Sequence, residues 1–220
     1  MVIFRRIRKK LLVGLAKAFA GAQSDLEGSA LPRFGNKPTD LTIQLPHRIE
    51  NPQHIFLGNG VRLGPNCVLN AKESYPGKWM KHPEERHIRQ EFNPLIRIGD
   101  RVTATSGLQV IALQEITIED DVMFASNIYI SDGMHSYASA RTPYKYQGMT
   151  KPQPIRIGLG SWIGQNVVIM PGVSIGTCTI VGANSVVTRN LPSRAIAVGA
   201  PARVVKLWSD EREEWEIAQK

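Results

Sequence analysis

From Ile157 onward an aliphatic residue stands at every sixth position, in hexads that read IGLGSW, IGQNVV, IMPGVS, IGTCTI, VGANSV and VTRNLP, led by Ile157, Ile163, Ile169, Ile175, Val181 and Val187. The fifth positions are Ser161, Val167, Val173, Thr179, Ser185 and Leu191, small or β-branched in five of six cases, and glycine follows the leader at 158, 164, 176 and 182. Six is neither the 3.6-residue period of a helix nor the two-residue alternation of a half-buried strand. It fits a strand of about three residues followed by a turn, repeated so that every leader points to a common axis and the chain winds into a coil with flat sides. A β-branched leader then packs on the leaders one coil above and one below, the small fifth residue fits where the coil bends, and the glycines serve the corners. With three sides, a coil takes eighteen residues.

The same phase extends upstream. Leu57, Leu63 and Leu69 form one coil, Ile98, Ala104 and Val110 the next, and Ile118, Phe124 and Ile130 a third, with Ile157 and Ile175 opening the fourth and fifth. All fifteen leaders are aliphatic or aromatic, counting Ala104, too many for a chance pattern in a β-sandwich. Its interruptions are countable: residue 98 stands where 75 would continue the phase, an insertion of 23; 118 stands for 116, a two-residue bulge; 157 stands for 136, an insertion of 21. Ile43 and Ile49 mark one further coil. The pattern predicts an all-β chain, a parallel β-helix of about five 18-residue coils, about 24 Å tall at the strand spacing of roughly 4.8 Å. Residues 1–52 read as an N-terminal helical arm and lead-in, 53–192 as the β-helix with insertions at about 72–95 and 136–156, and 193–220 as a closing segment whose WSDEREEWEIAQK reads as a short helix. In the arm, Ile3, Ile7, Leu11 and Leu15 lie four apart with arginines and lysines between them, the pattern of an amphipathic helix.

Composition sharpens this picture. A chain of 220 residues, 42% hydrophobic and 21% charged, can bury a core and is too polar for a multispanning membrane protein; its 14 prolines and 19 glycines exclude a helical bundle. The net charge of +8 is concentrated: Arg5, Arg6, Arg8, Lys9, Lys10 and Lys17 supply six, leaving two for the rest. A basic arm on a near-neutral body is not a nucleic-acid surface, which needs cations across the docking face. Packing of the arm's apolar face on the prism or on a neighbouring subunit is the bland reading; peripheral attachment of residues 1–20 to an anionic membrane, near a lipid-linked acceptor, is the sharper one. Lys17 interrupts the apolar stretch before Ala18-Phe19-Ala20, which argues against a secretory signal. Cys67 and Cys178 have no CxxC spacing and form no disulfide framework, so a reducing cytoplasm is expected.

Residues 162 to 206, WIGQNVVIMPGVSIGTCTIVGANSVVTRNLPSRAIAVGAPARVVK, resemble the hexapeptide-repeat acyltransferases, in particular the sugar and maltose O-acetyltransferases and those of capsule, exopolysaccharide and O-antigen synthesis. The resemblance implies a left-handed β-helix, a handedness that periodicity cannot show and that opposes the usual right-handed crossover. It also implies a homotrimer with active sites in clefts between prisms, and acetyl-coenzyme A along the groove toward the C-terminal coils, with no metal. Carried over residue by residue, Trp162 and Gln165 in SWIGQN fall where the pantetheine arm enters, Ala183 in VGANS and Thr188 in VVTRN along its track, and Arg203 and Lys206 in GAPARVVK near the nucleotide phosphates. Gln165 departs from the small residue often found there. The γ-type carbonic anhydrases share this fold with three histidines on zinc, but here His82 and His87 have no third histidine on a shared coil face.

Acyl transfer from a thioester to a hydroxyl needs a base, and histidine is the natural one. His135, in SNIYISDGMHSY, ends the third coil where the 21-residue insertion leaves the prism, and the resemblance maps the family's catalytic histidine onto it. His47, His54, His82 and His87 read as surface or turn residues. Asp132, three residues earlier, reads equally as the group that orients His135 and as a turn carboxylate in Ser-Asp-Gly. Asn127 resembles a family asparagine lining the acceptor site, with an asparagine ladder as its structural alternative. Cys67 and Cys178 read as structural, so transfer is direct, without an acyl-enzyme. The loop from Ser136 to Pro154 carries Tyr137, Tyr144, Tyr146, Arg141 and Lys145, suited to stacking on sugar rings or to a solvated loop. The expectation is an acetyl-CoA-dependent O-acetyltransferase acting on a saccharide hydroxyl, with N-acetylation of an amino sugar as the nearest alternative and a non-catalytic scaffold below it.

Overall fold

The computed structural model describes residues 31–76 and 89–218 together with helical positions 10, 12–15, 17–19 and 22. The chain divides into two compact units, residues 1–32 and 33–220. In the first, the described positions are helical, as the arm's pattern predicts; Ile3, Ile7 and Leu11 lie outside the described residues. Among the described residues no helix is long and apolar enough to cross a membrane.

The second unit is the prism. Its first wall runs Thr42–Ile43, Arg62–Leu63, Thr103–Ser106, Met123–Ser126, Trp162–Ile163, Ile180–Val181 and Ala195–Gly199, each strand parallel to the next. The second stacks His47–Glu50, Cys67–Ala71, Gln109–Ala112, Tyr129–Ser131, Val168–Ile169 and Val186–Val187. The third stacks Ile55–Leu57, Ile96–Ile98, Ile116–Ile118, Ile155–Ile157 and Ser174–Ile175. Leaders sit on leaders: Leu57, Ile98, Ile118, Ile157 and Ile175 are in register up the third wall. All fifteen leaders are buried, Ala104 at 7% being the most accessible, and each fully buried aliphatic contributes about 1.5–3 kcal/mol relative to exposure. The axis of stacked leaders is therefore the core. Ile43 and Ile49 pair with Leu63 and Leu69, so the lead-in assigned to the arm, residues 33–52, belongs to the prism.

The corners follow from backbone geometry. At the turn from first to second wall, Asn66, Asn127, Asn166 and Asn184 all adopt left-handed φ values of 58–63°, which asparagine tolerates because its short side chain bonds locally. Asn127 Nδ2 donates to Asn166 Oδ1 at 3.3 Å and Asn166 Nδ2 to Asn184 Oδ1 at 3.0 Å. This is the asparagine ladder, and it stands on the outside of the prism.

Every interruption of the hexad phase leaves from the corner between second and third walls: after Cys67–Ala71, after Gln109–Ala112 and after Tyr129–Ser131. The insertions therefore stack. Ser74–Tyr75 pairs antiparallel with Gln90–Glu91 in the first, while His135 bridges Met149 in the second. Gln90 Nε2 donates to the Met149 carbonyl at 3.0 Å, the Met149 N–H returns to Gln90 Oε1 at 2.6 Å, and the Tyr75 hydroxyl donates to the Lys145 carbonyl. His82 and His87 lie outside the described residues.

The expected C-terminal helix is a β-hairpin. Ala202–Ser209 runs antiparallel to Ala195–Gly199, and Glu214–Ile217 antiparallel to Ala202–Ser209, extending the first wall. Trp208 and Trp215, seven apart, would share a helix face, but here they meet as a cross-strand pair, ring centroids 5.5 Å apart. The physical reason is the open edge of Ala195–Gly199: a strand satisfies its unpaired N–H and C=O groups, and a helix cannot.

Candidate active site

His135 projects at the second-to-third corner, above the two-residue bulge. Its ring meets the buried Tyr75 edge-on, centroids 5.3 Å apart and planes at 75°. Tyr75 is in turn held by its hydroxyl on Lys145, and burial pushes that phenol above its ordinary range. The backbone bridge to Met149 anchors the main chain of His135. Both insertions are thus used to hold one exposed histidine. A cleft of about 460 Å³ opens beside it, with Tyr129, Ser131, Leu113 and Met170 among its lining residues.

Asp132 does not orient this histidine. It is fully buried, and its carboxylate accepts three backbone N–H groups at 2.7 Å each, Leu113 on Oδ1 and Gln114 and Glu115 on Oδ2. Burial pushes its carboxyl up, and the three donors pull it back. It is a brace for the bulged corner, so the turn reading of Ser-Asp-Gly holds, and no hydrogen bond from His135 to Asp132 is present among the described residues. Gly133 next to it packs on Leu113, where an added Cβ would come within 2.8 Å of the leucine side chain.

Asn127 stands at the first-to-second corner in its ladder, on a different edge from His135. Trp162 lies on the outer face of the first wall, 45% exposed, in register with Met123 and Ile180. Gln165 and Ala183 follow at the first-to-second corner, both exposed. Arg203 and Lys206 extend the same wall on the hairpin, opposite Val198 and Ile196. Thr188 alone of this set follows the second wall and lies on the His135 edge. In a three-sided prism the second-to-third corner is the one facing away from the first wall. One chain therefore holds Trp162, Arg203 and Lys206 on the wall opposite the His135 corner, and Gln165 and Ala183 at the first-to-second corner.

The tyrosines at the cleft are Tyr75 and Tyr129; Tyr137 and Tyr144 of the loop are exposed away from it, and Lys145 lies over the Tyr146 ring at 4.9 Å. Tyr75 escaped the sequence reading because it sits inside an insertion, where the hexad phase is silent. A larger groove of about 570 Å³ lies on the third wall around Phe56, Arg97 and Glu119, with no histidine in its lining. Among the described residues no three His, Cys, Asp or Glu side chains are grouped to hold a metal ion.

Residues 154–189 match the family model described as bacterial transferase hexapeptide (six repeats). A probable acetyltransferase of Mycobacterium tuberculosis is 36% identical over 161 residues, 73% of this chain and 52% of the relative. The galactoside O-acetyltransferase of Escherichia coli is 34% identical over 132 residues, 60% of this chain and 62% of the relative. The chain thus spans between about half and two thirds of the length of these curated relatives. Among solved structures, a mutant of AntD, an N-acyltransferase from Bacillus cereus in complex with dTDP and coenzyme A, superposes with a TM-score of 0.64 at 21% identity, covering 86% of this chain and 91% of that one. The chain therefore carries the hexapeptide repeat of the bacterial transferases, on the left-handed parallel β-helix fold of the acyltransferases.

Proposed function

We propose that the protein transfers an acetyl group from acetyl-coenzyme A to a saccharide hydroxyl, with His135 as general base. The observation that carries this reading is the placement of His135: an exposed imidazole against the Tyr75 ring, its backbone bridged to Met149, lining a cleft of about 460 Å³, within the range of small-molecule sites. The likeness to a galactoside O-acetyltransferase at 34% identity favours oxygen over nitrogen as the nucleophile.

The chemistry follows from these groups. The imidazole takes the proton of the acceptor hydroxyl as its oxygen attacks the thioester carbonyl, because an alcohol is a weak nucleophile near neutral pH. The tetrahedral oxyanion collapses, the C–S bond breaks, and the coenzyme A thiolate leaves, taking up the proton from the imidazolium. No acyl-enzyme forms: Cys67 is buried, its thiol pushed up by burial, and Cys178 lies at a distant corner. Trp162, Gln165, Ala183, Thr188, Arg203 and Lys206 are assigned to the coenzyme, the two cations to its phosphates.

Because His135 and the first wall face opposite ways, the complete site in this reading lies between two copies. The outer face of the second wall beside His135 carries Tyr129, Val168 and Val186, while the third wall carries Arg97, Thr117 and Arg156. The apolar part of the second wall at Tyr129, Val168 and Val186 is thus suited to cover Met123 and Trp162 on the first wall of a neighbour, an arrangement that closes as a ring of three.

The His135→Ala variant is expected to lose at least a hundredfold in kcat, measured by thiol release from acetyl-CoA. Its affinity for acetyl-CoA by calorimetry should stay within about twofold of the parent. Retained turnover would remove His135 from the mechanism.

A further inference from the structure

The end of the cleft away from the imidazole is cationic. Arg48 and Lys72 both line it, and no carboxylate among the described residues does. Glu50 pairs with Arg48, Nε to Oε1 at 3.3 Å. The Lys72 ammonium lies 5.9 Å from the centroid of the Tyr75 ring, and it is half-buried. Burial pushes its pKa down, Glu50 raises it and Arg48 lowers it further. Lys72 is held at a cost in desolvation, and Arg48 adds repulsion, both of which an anionic ligand can offset. Asn70 lines the same cleft, only 9% exposed, and its buried Oδ1 has no hydrogen-bond partner among the described residues, which is destabilising.

We infer that the acceptor carries an anionic group, a carboxylate or a phosphate, received by Arg48 and Lys72 while a hydroxyl of the same molecule meets His135. Tyr75 links the two groups: the Lys72 Nζ lies 5.9 Å and the His135 ring centroid 5.3 Å from the centroid of its ring, so an anion at Lys72 and a hydroxyl at His135 can belong to one small molecule. The apolar lining of Ile111, Leu113 and Met170 takes the hydrocarbon face of the acceptor ring. The identity of the ligand as the acceptor rests on the transferase reading; the preference of the cleft for an anion rests on these residues alone.

The test compares glucose, glucuronate and glucose 1-phosphate by saturation-transfer NMR titration of the full-length protein. Both anionic sugars are expected to bind at least tenfold more tightly than glucose, an Arg48→Gln/Lys72→Met variant to erase the difference, and an Arg48→Lys/Lys72→Arg variant to keep it. Circular dichroism melts of both variants check that folding is unchanged. Three sugars binding alike, or none binding, would overturn the inference. So would a Gln/Met variant that loses acetyl-CoA affinity by calorimetry, since the cations would then serve the phosphates of the coenzyme. Wild-type protein that binds no acetyl-CoA would sink the transferase reading, while the anion preference would still be read from the sugar titrations.

Discussion

Asp132 shows how one side chain can be read two ways. Three residues before a histidine, a carboxylate is well spaced to fix a tautomer, and the same Ser-Asp-Gly is well suited to close a turn. The structure decides by counting donors: Leu113, Gln114 and Glu115 present three N–H groups to it at a bulge that has no strand partner there. Removing the acceptor leaves one buried and two part-buried donors unpaired, at up to about 1–3 kcal/mol each. An Asp132→Ala variant should therefore lose about 3 kcal/mol or more of unfolding free energy, read as a shift of the urea midpoint at unchanged slope. At temperatures well below its melting point its turnover should fall far less than that of His135→Ala. A collapse of kcat in a folded variant would restore Asp132 to the catalytic group.

At the scale of elements, the hexad explains why the coil is so legible. Each leader at the axis is constrained by two others, so the pattern survives in every coil, and Ala104 under Phe124 is tolerated because the larger ring fills the space of the smaller residue. Corner glycines are constrained differently from one another. At Gly64 an added Cβ would lie 1.8 Å from the Thr105 carbonyl oxygen of the next coil, whereas at Gly160, with φ +67°, it would meet only Cys178 Sγ at 3.4 Å. Gly64→Ala must push neighbouring coils apart and should unfold the protein or lower its melting temperature by more than about 10 °C. Gly160→Ala carries only the left-handed backbone penalty of about 1–2 kcal/mol, a shift of roughly 2–8 °C for a chain of this size. Equal shifts in thermal melts would reject the close approach of the coils. What the period could not reach lies off the axis. The C-terminal hairpin is dictated by a sheet edge rather than by its own sequence, since Trp208 and Trp215 suit either a helix face or a strand pair. His135 was visible because the hexad phase breaks beside it; its real support, Tyr75 and Met149, comes from insertions that have no period, and the pairing of the two insertions depends on a shared corner that only the stacked coils create.

For the whole molecule, the decisive fact is that a prism has opposite sides. His135 stands at the corner facing away from the first wall, and Arg203 and Lys206 extend that wall, so the proposed reading joins the base of one copy to the cations of another. A site shared between copies makes a sharp prediction for mixtures. His135→Ala and an Arg203→Ala/Lys206→Ala double variant should each be nearly inactive, the first for want of a base and the second through weakened acetyl-CoA binding. When the two are mixed one to one, unfolded and refolded together, random assembly places an intact His135 against an intact Arg203 and Lys206 at about a quarter of the interfaces. Activity should return to about that fraction of the parent, and the assembly should sediment at three times the mass of the chain. The double variant supplies His135 to these interfaces and the alanine variant supplies the cations, so neither alone can do so at any concentration. A mixture as inactive as its components, in a preparation shown to be assembled, would place the base and the phosphate-binding cations in one chain and would require the coenzyme to run along the His135 edge past Thr188 instead.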